Sequence, residues 1–362
     1  MSDPLNTTAG SVPTTGGVRE LVLVDGRTFC ISDDGGQMRE RSHGMVHDDL
    51  RHLSLFEVSI ADADLEGLAC TASSPLSAVI VQQVRHGGHP RRFSCVMIRR
   101  RWVADGLRED IHVLNSGHER ETVRMQLRIG ADFAHLFDVK AGLSATEGKM
   151  SPDDANHWTI RSAGDVAAAT RVSASLEPTD VDLAAGTLSW LLELPARGES
   201  MVSIIVEPMV EGVASGVAFT FGQAPAQAVP VRRLAAWQAS TPKVVSADPR
   251  ISSAVSQALA DIAALRIFDR DGDDRVVIAA GAPWFMTLFG RDSLLTTWMT
   301  LPFDDTLASG VLSTLADLQG TCDDPPSEEQ PGKILHELRR RGGGGPFKDR
   351  DRYFGTVDAT PL

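Results

Sequence analysis

The chain has 362 residues, and its 42% of hydrophobic and 23% of charged residues are typical of a folded protein too long for one ordinary domain. Its formal net charge of -13 excludes a nucleic-acid or anionic-membrane surface as the main partner, because phosphate binding requires concentrated positive potential. We therefore expect two domains that act on a neutral or small polar molecule.

The first residues, 1–17, are rich in Thr, Gly, Ser and Pro. They have no basic stretch before an apolar run, so we predict a disordered tail rather than a signal peptide. No part of the chain approaches the ~20 consecutive apolar residues of a membrane span. The cysteines show neither metal-ligand spacing nor the density of a disulfide scaffold, which predicts reduced thiols. Together with the predicted lack of a signal peptide and of a membrane span, this pattern predicts a cytoplasmic protein.

Residues 18–235 are predicted to form an antiparallel β-sandwich, because short apolar segments alternate with polar residues and are separated by turn-forming Gly, Asp, Asn and Ser. The clearest strand is Thr122–Ile129, in which every second residue is apolar, as in a strand with one buried face. Further strands with the same pattern are predicted at Leu21–Val24, Leu53–Ile60, Ala78–Gln83, Phe93–Ile98, Ile111–Leu114, Leu188–Leu194 and Met201–Val206.

The periodicity changes near Asp248, after a predicted linker at residues 236–247. Asp248 is a suitable N-cap and Pro249 a suitable first helical residue. The apolar residues that follow recur at helical spacing: Ile251, Val255, Leu259, Ile262 and Leu265. Two more helices are predicted at Ser293–Thr300 and Asp304–Leu318, the second with one apolar face formed by Leu307, Val311 and Leu315. The expected fold class is therefore multidomain β plus α.

The densest group of reactive and aromatic side chains lies in residues 281–293, at the predicted start of a helix. Trp284 and Phe289 offer flat apolar faces, while Arg291 and Asp292 offer a forked donor and a two-oxygen acceptor. Sugars fit this combination, because their C–H faces stack on rings and a buried hydroxyl without a partner costs about 1–3 kcal/mol. The alternative is that the aromatic residues belong to the core and that Arg291 pairs locally with Asp292.

Three segments of this region, 282–293, 331–339 and 353–361, resemble in order and spacing the motifs of the bacterial amylo-α-1,6-glucosidase family of glycogen debranching enzymes. Their sequences are APWFMTLFGRDS, PGKILHELR and YFGTVDATP. Upstream, segments 43–54, 101–109 and 130–137 resemble the N-terminal domain of the same family. The chain departs from the family pattern at Met45-Val46 and at Asp48-Asp49. The resemblance implies that residues 248–362 are the first helices of an incomplete (α/α)6 barrel.

By analogy with this family and with glucoamylase-like barrels, Arg291 and Asp292 are expected to bind hydroxyl groups of the terminal sugar. Trp284 and Phe289 are expected to shape the same pocket. The two later motifs are expected to add three lining side chains, His336, Glu337 and Asp358, with a solvent-exposed loop position as the alternative for His336. The implied ligand is an α-glucan or a small α-glycoside, with no cofactor and no metal.

Hydrolysis of a glycoside requires two carboxyl groups, which an inverting site holds roughly 6.5–9.5 Å apart. Glu337 and Asp358 are the fallback candidates on residue type. In similar barrels, however, the acid and the base lie later in the sequence, and a complete barrel takes on the order of 300 residues. We therefore expect both catalytic residues beyond Leu362, no turnover by this chain alone, and the missing C-terminal barrel segment as its partner.

Two other functions stay open at this point. One is a non-catalytic glucan-binding or scaffold role, and the other is hydrolysis of other small α-glycosides, such as α-mannosides or glucosylglycerate-like compounds. His43, His47 and His52 have no convergent set of further metal ligands, and residues 269–274 lack the closing Glu of a calcium loop. The arginines of Arg99–Arg101 are predicted to be solvated or paired with carboxylates.

Overall fold

The structure is a computed structural model that describes residues 19–86, 95–143, 145–164, 167–210, 212–216, 218–268, 275–339 and 351–362. The predicted tail at 1–17 and the acidic turn at 269–274 lie outside these residues. The helices are α1 (Leu136–Ala141), α2 (Val229–Ser240), α3 (Pro249–Ala264), α4 (Gly290–Thr300) and α5 (Thr306–Asp317). The strands are β1 (Glu20–Asp25), β2 (Thr28–Asp33), β3 (Gly44–His47), β4 (Leu50–Leu53), β5 (Leu55–Ile60), β6 (Ala63–Ser74), β7 (Ser77–His86), β8 (Cys95–Val103), β9 (Leu107–Asn115), β10 (Glu121–Gly130), β11 (Lys149–Pro152), β12 (His157–Arg161), β13 (Ala168–Ala174), β14 (Asp180–Asp182), β15 (Thr187–Leu194), β16 (Glu199–Val210), β17 (Val213–Ala214), β18 (Arg266–Phe268), β19 (Val276–Gly281), β20 (Phe285–Leu288), β21 (Glu337–Leu338) and β22 (Arg352–Tyr353).

The N-terminal part is built from two antiparallel sheets. The first has four strands in the order β1-β2-β3-β4, and the second has thirteen, in the order β11-β12-β13-β16-β9-β8-β7-β6-β5-β10-β15-β14 with β17 paired to β16. Because β15 also contacts β9 and β16, the large sheet curls and its two halves enclose one core. Ile111, Trp158 and Trp190 are fully buried there. The expected antiparallel β architecture is observed, with both layers formed largely by one curled sheet.

Each predicted strand overlaps an observed one. In β10, Val123, Met125 and Leu127 are buried between exposed or partly exposed polar residues, as the alternation predicted. The prediction of one strand at Leu53–Ile60 is wrong, because Ser54 separates β4 from β5 and these two strands belong to different sheets.

The strands that sequence patterning missed include β2, β6 and β11 to β14. All residues of β2 are buried, so that strand has no solvated face. Most of β6 is exposed, so that strand has no fully buried face. Alternation identifies a strand only when one face is buried and the other is solvated.

A helix occupies the start of the linker that was predicted at residues 236–247. α2 buries Leu234 and Trp237, and Nε1 of Trp237 donates a hydrogen bond to Asp304 over 2.6 Å. Pro230 lies in the first turn of α2, where proline is tolerated, so it begins the helix instead of interrupting it. The chain up to residue 240 is therefore a packed helix.

Asp248 caps α3 as predicted, because its carboxylate accepts a hydrogen bond from the backbone N–H of Arg250 over 3.0 Å. The predicted apolar face is wrong for the first turns, where Ile251 is 51% exposed. The buried residues of α3 are small and lie near its C-terminal end: Ala260, Ala263 and Ala264. Ala263 and Ala264 lie in one buried cluster with residues of α2. The later part of the predicted apolar face is partly buried against this cluster: Leu259, Ile262 and Leu265.

The region after α3 is not purely helical, contrary to expectation. The strands β18, β19 and β20 form a sheet between α3 and α4, and β21 pairs with β22. These strands are short, and β19 is apolar throughout, so neither periodicity marks them. α5 follows the prediction, because Leu307, Val311 and Leu315 are buried on one face.

Two arginines of the run, Arg99 and Arg101, are paired with a carboxylate, which was one of the two expected states. Arg99 and Arg101 are fully buried and both bind Glu109, with Nε of Arg101 lying 2.6 Å from Oε2. Burial by itself would raise the pKa of Glu109, but Arg101 and Arg99 outweigh burial and lower it. The guanidinium groups also donate to the carbonyls of Gly35 and Gly36, which fixes β8 to the turn after β2.

Candidate functional site

Three separate segments of the chain meet at the start of α4. Phe289, which links β20 to α4, pairs with Glu337 of β21. The N–H of Gly290 donates to the carbonyl of His336 over 2.9 Å, and the N–H of His336 donates to the carbonyl of Tyr353 over 2.7 Å. The segments 282–293, 331–339 and 353–361 are thus neighbours in the fold.

Gly290 has no space for a side chain. A Cβ at this position would lie 2.2 Å from the carbonyl oxygen of Leu335 and 2.9 Å from the Cβ of Ala359. The first turn of α4 approaches the segment before β21 this closely only because the residue is glycine. This packing explains the glycine that precedes Arg291 in the motif.

Arg291, Asp292 and Asp358 form a partly exposed group, here called the Arg291 cluster. Nη1 of Arg291 lies 2.7 Å from Oδ2 of Asp358, and Nη2 lies 3.6 Å from Oδ2 of Asp292. The hydroxyl of Thr356 donates to Asp358 and, together with Arg291, lowers the pKa of Asp358. Asp358 is therefore ionised at neutral pH. The local pair of Arg291 and Asp292 is present, next to a shorter contact to Asp358.

A second group is buried and is here called the Arg339 cluster: Asp49, Phe137, Phe289, Glu337 and Arg339. Nη1 of Arg339 lies 2.8 Å from Oδ1 of Asp49, and Nη2 lies 3.2 Å from Oε2 of Glu337. The guanidinium lies 4.9 Å from the ring centroid of Phe137 and 5.7 Å from that of Phe289. Only 1% of Arg339 and 4% of Glu337 are exposed. The structure therefore places Glu337 inside a closed ionic and aromatic contact.

The two carboxyl groups of the Arg339 cluster share one guanidinium. Burial raises the pKa of Asp49, and the charge of Arg339 opposes this rise without cancelling it. The same holds for Glu337, whose pKa burial also raises. A charge removed from water is tolerated only with a close partner, so each member of the cluster depends on the others.

Asp49 belongs to the N-terminal sheets and lies 290 residues before Arg339. It is in the tight turn between β3 and β4, where φ is 46° for Asp48 and 67° for Asp49. A two-residue hairpin turn requires such left-handed values, and Asp tolerates them. The N–H of Leu136 in α1 donates to the carbonyl of Asp49 over 2.8 Å, so α1 fixes the turn and brings Phe137 into the cluster.

Sequence reasoning missed the role of Asp49. In the sequence, Asp48-Asp49 stands out only as a departure from the family pattern. Two consecutive Asp residues between apolar segments are nevertheless a signal for a hairpin turn. The turn was thus detectable, whereas its contact with residue 339 is produced only by the complete fold.

The aromatic residues of the 282–293 segment are divided between the core and the site. Trp284 is half-buried and packs edge-on against Phe29, with 6.4 Å between ring centroids, in the cluster around α2 and α3. Phe289 is buried in the Arg339 cluster. Phe285 is 43% exposed, and Nζ of Lys140 lies 5.1 Å from its ring centroid. The accessible ring of the segment is therefore Phe285.

His336 lies in a row of rings. The centroid distances are 5.9 Å for Phe285 and Phe289, 5.5 Å for Phe289 and His336, and 6.0 Å for His336 and Tyr353. Nδ1 of His336 is buried and has no hydrogen-bond partner among the described residues. The ring of His336 is therefore partly enclosed by aromatic neighbours, and its Nδ1 is an acceptor or donor that the described protein atoms leave unused.

Two further features can be excluded for the described part of the chain. Within it, no three His, Cys, Asp or Glu side chains are arranged to hold a metal ion. Its helices are also too short or too polar to cross a membrane. Of the histidines in the first motif, His47 hydrogen-bonds the hydroxyl of Thr28 over 2.7 Å, which is a structural contact.

Comparison with known proteins identifies a related domain. Residues 23–204 match the family model of the N-terminal domain of some glycogen debranching enzymes. A search of curated proteins found no significant match to the chain.

Two solved structures have a similar fold. A protein described as a kojibiose phosphorylase, from the human microbiome, is 9% identical with a TM-score of 0.52, over 81% of this chain and 46% of its own. A bacterial glucoamylase complexed with acarbose is 10% identical with a TM-score of 0.50, over 94% of this chain and 55% of its own. The chain thus spans about half the length of these structures, and at such identities the similarity establishes the fold alone.

We expect the free energy of unfolding of Glu337→Gln, relative to that of the wild type, to be higher at about pH 8 than at about pH 5. The folded-state pKa of Glu337 lies above its unfolded value, so this carboxyl contributes less to the free energy of unfolding as the pH rises through that interval. Glutamine fills the same space and does not ionise. Urea unfolding at both pH values measures the difference, with Glu193→Gln on the exposed surface as the control. A pH-independent difference would show that Glu337 is not a buried titrating group.

Proposed function

The chain belongs to the family defined by the N-terminal domain of glycogen debranching enzymes, and on this premise we propose that it is the N-terminal portion of a glycoside hydrolase of the amylo-α-1,6-glucosidase type. The reaction is hydrolysis of terminal α-glucosidic bonds in glycogen-like glucans. A neutral glucan suits a chain with a formal net charge of -13, which repels polyanions.

The Arg291 cluster is the observation that carries this proposal. Arg291 presents N–H donors, and Asp292 and Asp358 present carboxylate oxygens, on side chains that are 36% to 42% exposed. Neighbouring sugar hydroxyls donate to carboxylates and accept from a guanidinium, so the group fits one face of a sugar ring. Because both carboxylates of the cluster already face the guanidinium of Arg291, an uncharged ligand adds no further ionised group that needs a partner.

In this proposal the catalytic acid and base lie beyond Leu362. Asp358 has a lowered pKa and stays ionised, which suits hydroxyl binding and not proton donation. Glu337 is bound to Arg339 in the interior. The chain covers 46% and 55% of the two similar structures, so a complete enzyme of that length has room for both carboxyl groups elsewhere.

Further helices are proposed to complete an (α/α)6 barrel next to α4 and α5. These two helices pack against each other. On their outer faces, Trp298 is 70%, Met299 68% and Leu312 57% exposed. Large apolar side chains exposed on a helix pair are typical of a surface that another element covers.

A non-catalytic glucan-binding role is the second candidate. It is favoured because both fallback carboxylates already form ion pairs, Asp358 with Arg291 and Glu337 with Arg339. The Arg291 cluster would then hold a glucan without cleaving it. Turnover, and not binding, distinguishes the two candidates.

The purified 362-residue chain is expected to release no glucose from glycogen limit dextrin or isomaltose, because Asp358 stays ionised and Glu337 is held by Arg339, so neither fallback carboxyl group can act as the proton donor. An enzymatic glucose assay against a protein-free blank measures this. The same assay on a chain extended through a downstream reading frame separates the candidates, since release supports the hydrolase and no release supports the binding role. Glucose release by the 362-residue chain itself would overturn the placement of the acid and base.

Arg291→Lys is expected to weaken isomaltose binding by about tenfold or more, because lysine keeps the charge but loses the forked geometry. Isothermal titration calorimetry of isomaltose into each protein gives the affinities. Arg250→Lys is the matched control, since Arg250 forms a similar pair with Asp248 over 2.8 Å at the exposed start of α3. Equal affinities of the two variants would exclude the Arg291 cluster as the sugar site.

A further inference from the structure

A groove lies on the large sheet, formed by segments other than those that carry the Arg291 cluster. Its volume is about 550 Å³, and its floor is formed by β12, β13 and β16. Alternate residues of these strands, such as Trp158 and Val172, point into the core. The floor is therefore the opposite face of the same strands. The volume of the groove falls within the range of about 300–1,000 Å³ that is typical of small-molecule sites.

The floor of the groove is a row of paired polar side chains. Thr159, Arg171 and Glu207 are neighbours in register across the three strands. Nη1 of Arg171 lies 3.2 Å from Oε2 of Glu207, and the hydroxyl of Thr159 donates to Asp153 over 2.5 Å. The lining includes carboxylates, guanidinium groups and a histidine, so neither sign of charge dominates. Such a surface offers both donors and acceptors at fixed positions.

One rim of the groove carries an exposed aromatic ring. Phe221 is 36% exposed, whereas Phe219, two residues earlier, is buried against the sheet. Buried Arg108 holds this segment, because its Nη1 donates to the carbonyls of Thr220 over 3.0 Å and Gln223 over 2.8 Å. The ring of Phe221 is thus presented on a fixed support, and a preorganised support lowers the cost of binding.

We propose that this groove is a carbohydrate-binding site that holds a linear α-1,4-linked glucan chain. The flat ring of Phe221 matches the C–H face of a sugar, and the pair of Arg171 and Glu207 matches neighbouring hydroxyls. The mixed charge of the lining favours an uncharged ligand, and the polar floor disfavours a purely apolar one. The choice of an α-glucan rests on the proposed function, while the binding surface does not involve Arg291.

Titration of maltoheptaose into the full chain, followed by isothermal titration calorimetry, tests this site. Phe221→Ala is expected to weaken binding by about tenfold or more, through loss of the apolar contact. Glu207→Gln is expected to weaken it by a similar factor, through loss of a charged acceptor. Leu191→Ala, which removes a comparably exposed apolar side chain from β15, is the control and is expected to bind as the wild type does. Unchanged thermal melting of Phe221→Ala shows that the variant is folded.

The outcomes separate this inference from the proposed function. Loss of maltoheptaose binding in both groove variants and its retention in Arg291→Lys support the groove. Binding that survives both groove variants and is lost in Arg291→Lys overturns the groove and leaves the proposed function in place. Absence of maltoheptaose binding by the wild type also overturns the groove. The proposed function is tested separately, by the binding of isomaltose at the Arg291 cluster.

Discussion

The buried guanidinium of Arg339 joins the candidate site to the turn between β3 and β4 of the N-terminal sheets. It is removed from water, so its stability depends on the two carboxylates that flank it, Asp49 and Glu337. These residues come from opposite ends of the described chain, and Glu337 pairs directly with Phe289 at the start of α4. The position of α4, and with it that of Arg291, therefore depends on a turn in the N-terminal sheets.

This arrangement gives neighbouring residues of the same motifs different tasks. Glu337 and Phe289 are buried and support the candidate site, whereas Arg291 and Asp358 are partly exposed and present polar atoms to the surface. Residue type alone cannot distinguish these tasks, since Glu337 and Asp358 are both carboxylates. Their environments do, because burial raises the pKa of Glu337 while Thr356 and Arg291 lower that of Asp358.

The sequence predicted what depends on local patterning and failed where tertiary contacts decide. The half-buried strand β10 and the Asp248 cap of α3 followed directly from periodicity and capping chemistry. The fully buried β2 and the largely exposed β6 have no alternation to detect. Trp284 belongs with the core around Phe29, a contact between distant segments that spacing does not encode. The contact of Asp49 with Arg339 escaped prediction for the same reason.

Hydrogen exchange of the amides of Gly290 and His336 in Asp49→Asn tests the role of the Arg339 cluster most directly. Asparagine tolerates the left-handed turn but removes the charge, so both amides are expected to exchange at least about tenfold faster while β8 and β9 keep their protection. Asp48→Asn is the matched control, because Asp48 lies in the same turn and pairs with Arg27 instead. Unchanged protection of Gly290 and His336 in Asp49→Asn would contradict the account, since the site would then be held without the ion pair of Asp49 and Arg339.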